Sequence, residues 1–545
     1  MNPLSSGRNL PKPETGSGKQ NSIAGVPVVN PGNIVLAGPS GSGKSTVGQA
    51  LAEALSRPFL SIDEIIVRRA GMSIEKIFAQ QGEAAFRQME VQVCKETAAL
   101  TGHVIACGGG ALLDKNNREA FEAGGTIVML HCETGELIQR LQEGGRPLLG
   151  SEPAKTLPAL LEKRRDHYLS FPNTVDVSGL NVKESVRKLQ ETAIRASLFH
   201  TDVRPDPPSR LLLGEDITGV LDKQLLELGL KSPIVVVCDS NTGPLYGRQI
   251  AELLGGSHFS FTAGEQYKTS DTLQQVYDFL YTSRMERQGT IIAVGGGVVG
   301  DLTGMAAATW LRGVRWVNVA TSLLAMVDSS LGGKVAIDMP YGKNLVGAFY
   351  PPALILSDTG VLNTLPEIEF RCGMAELIKT ALIGDPLLFS WLEKGGRPST
   401  KWIQRAVQVK ARIVKEDPLE KGIRASLNLG HTIGHAIETA SNYSVRHGEA
   451  VAVGLLLESR LAEKLQLAEA GLSDRINRVL QQWQLPVNLN GASPGLILEN
   501  MKADKKNVNH QPAFALPVEP GMVKIGIQVP TQLVRDTLAE MQEST

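Results

Sequence analysis

The chain has 545 residues, more than one ordinary domain holds, so two or three domains are expected. At 42% hydrophobic and 20% charged residues, with a formal net charge of −1, it has the make-up of a folded protein and lacks the basic excess that nucleic-acid or membrane-surface binding uses. No apolar run reaches the roughly 18–20 residues of a spanning helix, so neither nucleic acid nor membrane is an expected partner. The five cysteines (Cys94, Cys107, Cys132, Cys238, Cys372) are scattered, odd in number and never in a CxxC pair, which predicts a reduced, cytoplasmic protein.

In chain order, residues 1–30 carry no apolar core of a signal peptide and are expected to be a disordered tail. Residues 31–196 alternate short apolar runs with helical patterns. "NIVLAG" precedes a glycine-rich loop, and Val47, Leu51 and Leu55 then recur at helical spacing. "HVIACGGG" and "GTIVMLHC" read as further strands, so this zone is α/β around a mostly parallel sheet. Residues 197–210, with Pro205, Pro207 and Pro208 among charges, read as a linker. A second α/β zone, 211–365, holds "PIVVVCDSN", "GTIIAVGGGVVGD" and "WVNVATSLLAMVDSS". From 366 to 545 the spacing of apolar residues predicts a mainly helical region.

The first loop, "GPSGSGKST", fits GxxxxGK[ST] through Gly38, Gly43, Lys44 and Ser45, between a strand and a helix. That order serves phosphate. The glycines, Gly41 included, let backbone N–H groups converge, the helix start adds positive potential, Lys44 reaches the β- and γ-phosphates, and Ser45, followed by Thr46, ligates Mg2+. Nucleotide binding with Mg2+ is therefore expected.

The segments "FLSIDEII", "GEAAFRQME", "CGGGALL", "GGRPLL" and "EKRRDHY" resemble the shikimate kinase family in order and spacing. The resemblance implies that Asp63 holds substrate hydroxyls near the proton transfer, that Arg87 and Arg164 clamp the substrate carboxylate, and that Gly108, Gly109 and Gly110 line its pocket. It also implies that Arg140 and Arg146 lie by the nucleotide, Arg146 on a closing lid. Phosphoryl transfer asks for such positioning and cationic charge. The chain departs from the family at Ser61, where an acid is common, at Val67, where a glutamate is, and at Asp166, where a proline is. Ser61 and Val67 keep open a second reading, a nucleotide-binding regulatory domain without kinase activity.

In the centre, Gly295, Gly297 and Gly300 form a GxGxxG match, a weak signal alone because a strand-to-helix turn also asks for small residues. Further on, His431, His435 and His447 fall within 17 residues. His431 and His435, four apart on a helix, are neighbours and pair as candidate metal ligands, with Glu376 as the carboxylate of a His2Glu set.

Together "GEQYK", "GGGVVGDLTG", "RGVRW", "LLAMVDSSLGGK", "GKNLVGAF", "GMAELIK", "RASLNLGHTIGHAIE", "HGEAVAVG" and "DKK" resemble 3-dehydroquinate synthase over residues 210–545. The resemblance implies an NAD-binding α/β domain followed by an α-helical domain, with the site in the cleft. It corrects the ligand set to Glu376, His431 and His447 around Zn2+, or Co2+ in its place, and gives His435 to substrate and proton handling. It assigns Asp239, Asn241, Glu265, Lys268, Gly295, Gly296, Gly297, Asp301, Thr321, Ser322, Asp328, Lys334 and Lys343 to NAD. It assigns Lys334, Lys343, Asn344, Lys379, Lys410, Arg424, Asn428, His435, Lys505 and Lys506 to the sugar-phosphate substrate DAHP. Arg312 would reach across a homodimer interface. Asp338 stands where asparagine is usual, and Ala320 where proline is. The expectation is a fused enzyme that phosphorylates shikimate with ATP and converts DAHP to 3-dehydroquinate and phosphate. A related NAD- and metal-dependent alcohol dehydrogenase is the rival, disfavoured by "DSSLGGK", "GKNLVGAF" and the lysine set.

Overall fold

The computed structural model describes residues 32–141, 153–205, 208–396, 398–489, 491–503 and 512–543. Five parallel strands form the first sheet: β1 (Asn33–Ala37), β2 (Phe59–Ser61), β3 (Val104–Ala106), β4 (Gly125–His131) and β5 (Thr174–Asp176). Their order is β2-β3-β1-β4-β5, every pair parallel. A parallel sheet is covered on both faces, so β1 must be apolar on both. Ile34 and Leu36 enter one core with Leu51 and Val128, while Val35 and Ala37 enter the other with Ile105 and Ile127.

The second sheet uses β6 (Phe199–Pro205), β7 (Pro208–Gly214), β8 (Ile234–Asp239), β9 (Ser257–Phe261), β10 (Thr290–Gly295) and β11 (Arg315–Ala320). After a separate hairpin of β12 (Lys334–Met339) and β13 (Gly342–Phe349), β14 (Leu354–Asp358) completes it. The order is β6-β7-β14-β11-β10-β8-β9, and only the β6–β7 pair is antiparallel. Asp239, Gly295 and Ala320 end three adjacent strands, so the turns after them open on one edge, where doubly wound sheets bind ligands.

One expectation needs correction. Residues 197–210 are not a linker. Helix Val182–Ser197 runs almost directly into β6, and β6 and β7 pair over much of their length. The prolines deceive because Pro205 ends the edge strand β6 and Pro208 is the first residue of β7, positions where a missing N–H costs least. Residues 366–545 are mainly helical, as expected. Long helices (Glu367–Gly384, Thr400–Glu416, His431–Ala440, His447–Lys464) dominate, but β15 (Ala513–Glu519) and β16 (Met522–Gln528) make a hairpin. Its turn is the "EPG" at Glu519-Pro520-Gly521, with Gly521 at φ 93°, a signal that apolar spacing alone passes over. No helix of the described residues is long and apolar enough to cross a membrane.

The two sheets meet at a definite seam. Ile194 and Leu198 pack against the core of the second sheet. Lys401 Nζ donates to the carbonyls of Glu122 (3.0 Å) and Ala123 (2.7 Å), at the end of helix Lys115–Gly124. Arg57 pairs with Glu215 at 3.5 Å. Burial lifts the Glu215 carboxyl to about 7, although Arg57 draws it down. A carboxyl raised in the folded state contributes stability that is present below its unfolded pKa and lost as pH rises through about 7. Glu215→Gln should therefore melt with the wild type at pH 4 and above it at pH 8, by on the order of 2 kcal/mol. Calorimetric melting at the two pH values checks this, and equal melting at pH 8 would contradict it.

Candidate functional site

At the first sheet the loop after β1 needs backbone that only glycine adopts easily. Gly38, Gly41 and Gly43 have φ of 146°, 86° and 88°, and a Cβ on Gly38 would stand 2.7 Å from the Leu130 carbonyl. Lys44 folds back so that Nζ donates to the carbonyls of Gly38 (2.9 Å) and Pro39 (2.8 Å). Ser45 and Thr46 open helix Lys44–Ala54 behind it, their N–H groups in the first turn. Arg140 leans over the loop, with Nη1 3.5 Å from the Gly41 carbonyl. Arg146 lies outside the described residues.

Across this loop the predicted shikimate-site residues converge. A Cβ on Gly110 would meet Arg87 at 3.3 Å and Arg164 at 3.4 Å, and one on Gly108 would meet Asp63 at 2.8 Å and Glu90 at 3.0 Å. Arg164 Nη1 and the Tyr168 hydroxyl both donate to the Gly109 carbonyl. Glu90 escaped the sequence reading. It is buried, accepts from Arg87 Nη1 at 2.5 Å, and its carboxyl is raised by burial against the pull of that arginine. Its signal was the three-residue step from Arg87 along one helix face. Ser61, the departure from the family pattern, caps helix Ile62–Ala70 by accepting from the Glu64 N–H.

At the second sheet, Asp239 Oδ1 accepts from the N–H groups of Asn241 (2.9 Å) and Thr242 (2.8 Å), fixing the turn after β8. Gly296 caps helix Gly297–Thr309, the Thr321 N–H donates to the Gly295 carbonyl, and Ser322 lies where a Cβ on Gly296 would meet it at 3.3 Å. Lys268 Nζ lies 2.5 Å from Asp301 and donates to Asn344 Oδ1 at 2.6 Å. Burial lifts Asp301 to about 6 against that lysine. Asn344, in left-handed backbone, donates its N–H to Asp338, so the unusual acid is engaged by the hairpin itself. Glu265 stands 4.0 Å from both Lys268 and Lys343.

The helical region completes the cleft. Glu376 and Lys379 sit three apart on helix Glu367–Gly384, are 0% and 1% exposed, and pair at 2.5 Å. Lys410, from helix Thr400–Glu416, lies 2.5 Å from Asp328, with Lys379 3.4 Å away. Burial works against both lysines; it drops Lys410 to about 8. The two lysines still hold Asp328 well below its usual range. Arg424 is buried and donates to the carbonyls of Pro418 and Gly332. Lys334 pairs with Glu420. Asn428 ends the short helical turn Ile423–Asn428, just before Gly430. Lys505 and Lys506 lie outside the described residues. Arg312 is exposed in a turn at φ 65° and makes no hydrogen bond or ion pair among the described residues.

Ligand atoms of Glu376, His431 and His447 lie within 4.8 Å of one another, as do those of His435, Glu438 and His447. His431 Nδ1 donates to the Leu429 carbonyl at 3.0 Å, which leaves Nε2 as the lone-pair nitrogen, 3.5 Å from Glu376 Oε1. His447 bridges Glu376 (3.2 Å) and Glu438 (3.3 Å). Burial pushes His447 down, but these two hydrogen bonds prevail and hold it at about 10. Burial pushes Glu376 up, yet Lys379 and the neighbouring imidazoles bring it to about 2. An anionic carboxylate with two imidazole nitrogens and an open side fits a divalent cation. Helical spacing pairs His431 with His435, whose rings are 5.1 Å apart, but it cannot foresee His447 arriving from the next helix. Glu438 was also missed. It bridges His447 and Lys343 (3.3 Å), one turn beyond His435.

Family models match shikimate kinase over residues 40–193, 3-dehydroquinate synthase N-terminal over 258–372 and 3-dehydroquinate synthase C-terminal over 373–507. The 3-dehydroquinate synthase of Crocosphaera subtropica is 39% identical over 355 residues, covering 62% of this chain and 97% of that relative. Among solved structures, 2-epi-5-epi-valiolone synthase from Streptomyces hygroscopicus subsp. jinggangensis, with NAD+ and Zn2+ bound, has a TM-score of 0.57 at 26% identity over 62% of this chain and 97% of that one. Shikimate kinase from Acinetobacter baumannii, in complex with shikimate, is 36% identical over 30% of this chain and 92% of that one, with a TM-score of 0.29.

Glu438 is expected to set the proton affinity of His447. In metal-free protein, Glu438→Gln should lower the His447 midpoint by about one unit or more, read by NMR titration of its imidazole. An unmoved midpoint would contradict the bridge.

Proposed function

The chain belongs to the 3-dehydroquinate synthase family, carries a shikimate kinase domain ahead of the synthase, and is a bifunctional shikimate-pathway enzyme; on that premise we propose how its residues divide the two reactions. In the kinase half, the backbone of Gly38, Gly41 and Gly43 with Lys44 holds the ATP phosphates, and Ser45 and Thr46 face Mg2+. Arg87 and Arg164 hold the shikimate carboxylate against Gly108–Gly110. Asp63 orients the hydroxyl that attacks the γ-phosphorus and accepts its proton. Arg140 and Arg146 offset charge on the transferring group.

In the synthase half, the turns bearing Asp239, Asn241, Gly295–Gly297, Thr321 and Ser322, with Glu265, Lys268, Asp301 and Asp328, hold NAD. Glu376, His431 and His447 hold a divalent cation, zinc or cobalt. When bound, NAD would supply reversible hydride acceptance for C5 of DAHP, and the cation would supply Lewis-acid polarisation of the neighbouring oxygens. Lys334, Lys343, Lys379, Lys410, Arg424 and the Lys505/Lys506 pair bind the substrate carboxylate and phosphate, Asn344 and Asn428 bind its hydroxyls, and His435 moves protons. Arg312 extends toward the site of a second copy in a homodimer. The observation that carries the synthase assignment is the convergence of Glu376, His431 and His447 beneath a lysine-rich cleft at the sheet edge.

The test that separates a working kinase from a nucleotide-binding regulatory domain is ATP-dependent conversion of shikimate to shikimate 3-phosphate by the full chain with Mg2+. Turnover is expected, and Lys44→Ala should cut it by about 100-fold or more while leaving 3-dehydroquinate formation intact. His447→Ala should abolish synthase turnover and leave the kinase unchanged. Absent kinase turnover with ATP still bound would favour the regulatory reading.

A further inference from the structure

Helix His431–Ala440 opens with an unusual start. Its cap residue is Gly430, at φ 76°, which brings no side chain to the free N–H groups of the first turn. Such groups cost stability when buried without acceptors. Here the acceptor comes from the following helix. Glu458 is 0% exposed, and its Oε2 accepts the Gly430 N–H at 2.5 Å while Oε1 accepts the Ile433 N–H at 3.3 Å. The Thr432 N–H also points to this carboxyl.

The approach is possible because the two helices touch through glycine. A Cβ on Gly454 would lie 2.0 Å from the Gly430 carbonyl oxygen, and one on Gly434 would lie 3.2 Å from that of Ala450. Burial pushes the Glu458 carboxyl up to about 8 and the backbone donors draw it down. The capping bonds need only oxygen lone pairs, which both forms of a carboxyl carry. Glu458 is not among the clustered candidate ligands, and both its oxygens are taken up by backbone N–H groups.

We propose that Glu458 is a positioning residue for the metal centre: it locks the first turn of the helix that begins with His431, so that the helix supplying His447 also fixes the second imidazole. The proposal rests on the cation site of Glu376, His431 and His447. His447 opens helix His447–Lys464, and Glu458 lies about three turns along it. One rigid rod thus sets the distance between both imidazoles. Without the carboxylate the first turn of helix His431–Ala440 would fray, and His431, its first residue, would lose a fixed direction toward Glu376.

The test uses the full chain stripped of metal and reloaded with Zn2+ or Co2+. Glu458→Gln keeps size and one acceptor but turns an N–H2 toward the backbone donors. It should weaken Zn2+ affinity by roughly tenfold, the scale seen when supports of metal ligands are removed, measured by competition with a chromogenic chelator. The visible spectrum of the Co2+ form should shift as well, a change that loss of overall stability alone would not cause. Affinity and spectrum equal to wild type, with His447→Ala clearly weaker, would overturn the role of Glu458. If His447→Ala also matched wild type, the metal reading itself would fall, and the proposal with it. Should the Gln variant not fold, hydrogen exchange in the wild type decides. Slow exchange of the Gly430, Thr432 and Ile433 amides, on the scale of helix interiors, is expected, and fast exchange would overturn the cap.

Discussion

Charge without water is the condition around which the helical half is built. Glu376, Lys379 and Lys410 are almost wholly buried, and Asp328 joins them from the sheet side. Removing such groups from water costs several kcal/mol per ion, and only close pairing with good geometry offsets it. Each therefore has to arrive from a fixed element: Glu376 and Lys379 from one helix, Lys410 from a second, Asp328 from the helical turn Ala325–Ser329. The large apolar core around Phe370, Leu377, Val407 and Ile433 holds those elements still. Apolar packing supplies the stability here, and the ion cluster draws on it.

The same condition explains why opposed charges alternate between the lysine region and the imidazole region of the cleft. In the first, Lys379 and Lys410 lie against Asp328 and Lys334 against Glu420, and Lys379 also reaches Glu376 at 2.5 Å. Glu376 and Glu438 gather around the three imidazoles. Glu438 stands between the regions, contacting Lys343 on one side and His447 on the other. It therefore couples the placement of a substrate-side cation to that of a metal-side imidazole, as carboxylates behind ligating histidines commonly do.

Much of this was legible in the sequence, and the failures have physical causes. The buried strands announced themselves because parallel strands are apolar throughout, as in "NIVLA" and "IVVVC". The phosphate loop was legible because its glycines meet a backbone requirement that hardly any other residue satisfies. The strands at 199–214 were hidden by prolines that an edge strand and a strand's first residue tolerate, and the hairpin near Gly521 by a helical context. Glu90, Glu438 and Glu458 were passed over for one shared reason. A glutamate on a helix is by default a solvated surface charge. Contact with His447 or Gly430 from elsewhere in the fold marks Glu438 and Glu458 as buried partners, whereas Glu90 had only a local signal, Arg87 three residues before it on the same helix. The pairing of His431 with His435 shows the converse. Sequence spacing sees neighbours on one helix, whereas the ligand set joins His431 to residues from two other helices.

The seam bears on why two activities share one chain. The kinase and synthase steps need no common intermediate for fusion to matter structurally. Helix Val182–Ser197 passes into an edge strand of the synthase sheet, with Ile194 and Leu198 packed against the neighbouring core, so the kinase half ends where the synthase core begins. Lys401 then ties helix Thr400–Glu416, which carries Lys410 into the synthase cleft, to the end of helix Lys115–Gly124. That second helix follows directly on Gly110 and the turn Ala111–Leu113, beside the shikimate-site arginines. The two helices meet end to side, so the halves share a packed contact as well as a chain connection. A shared contact carries coupling only where one of its elements has two arrangements of similar energy; a fixed seam joins the two halves and leaves each site to work by itself.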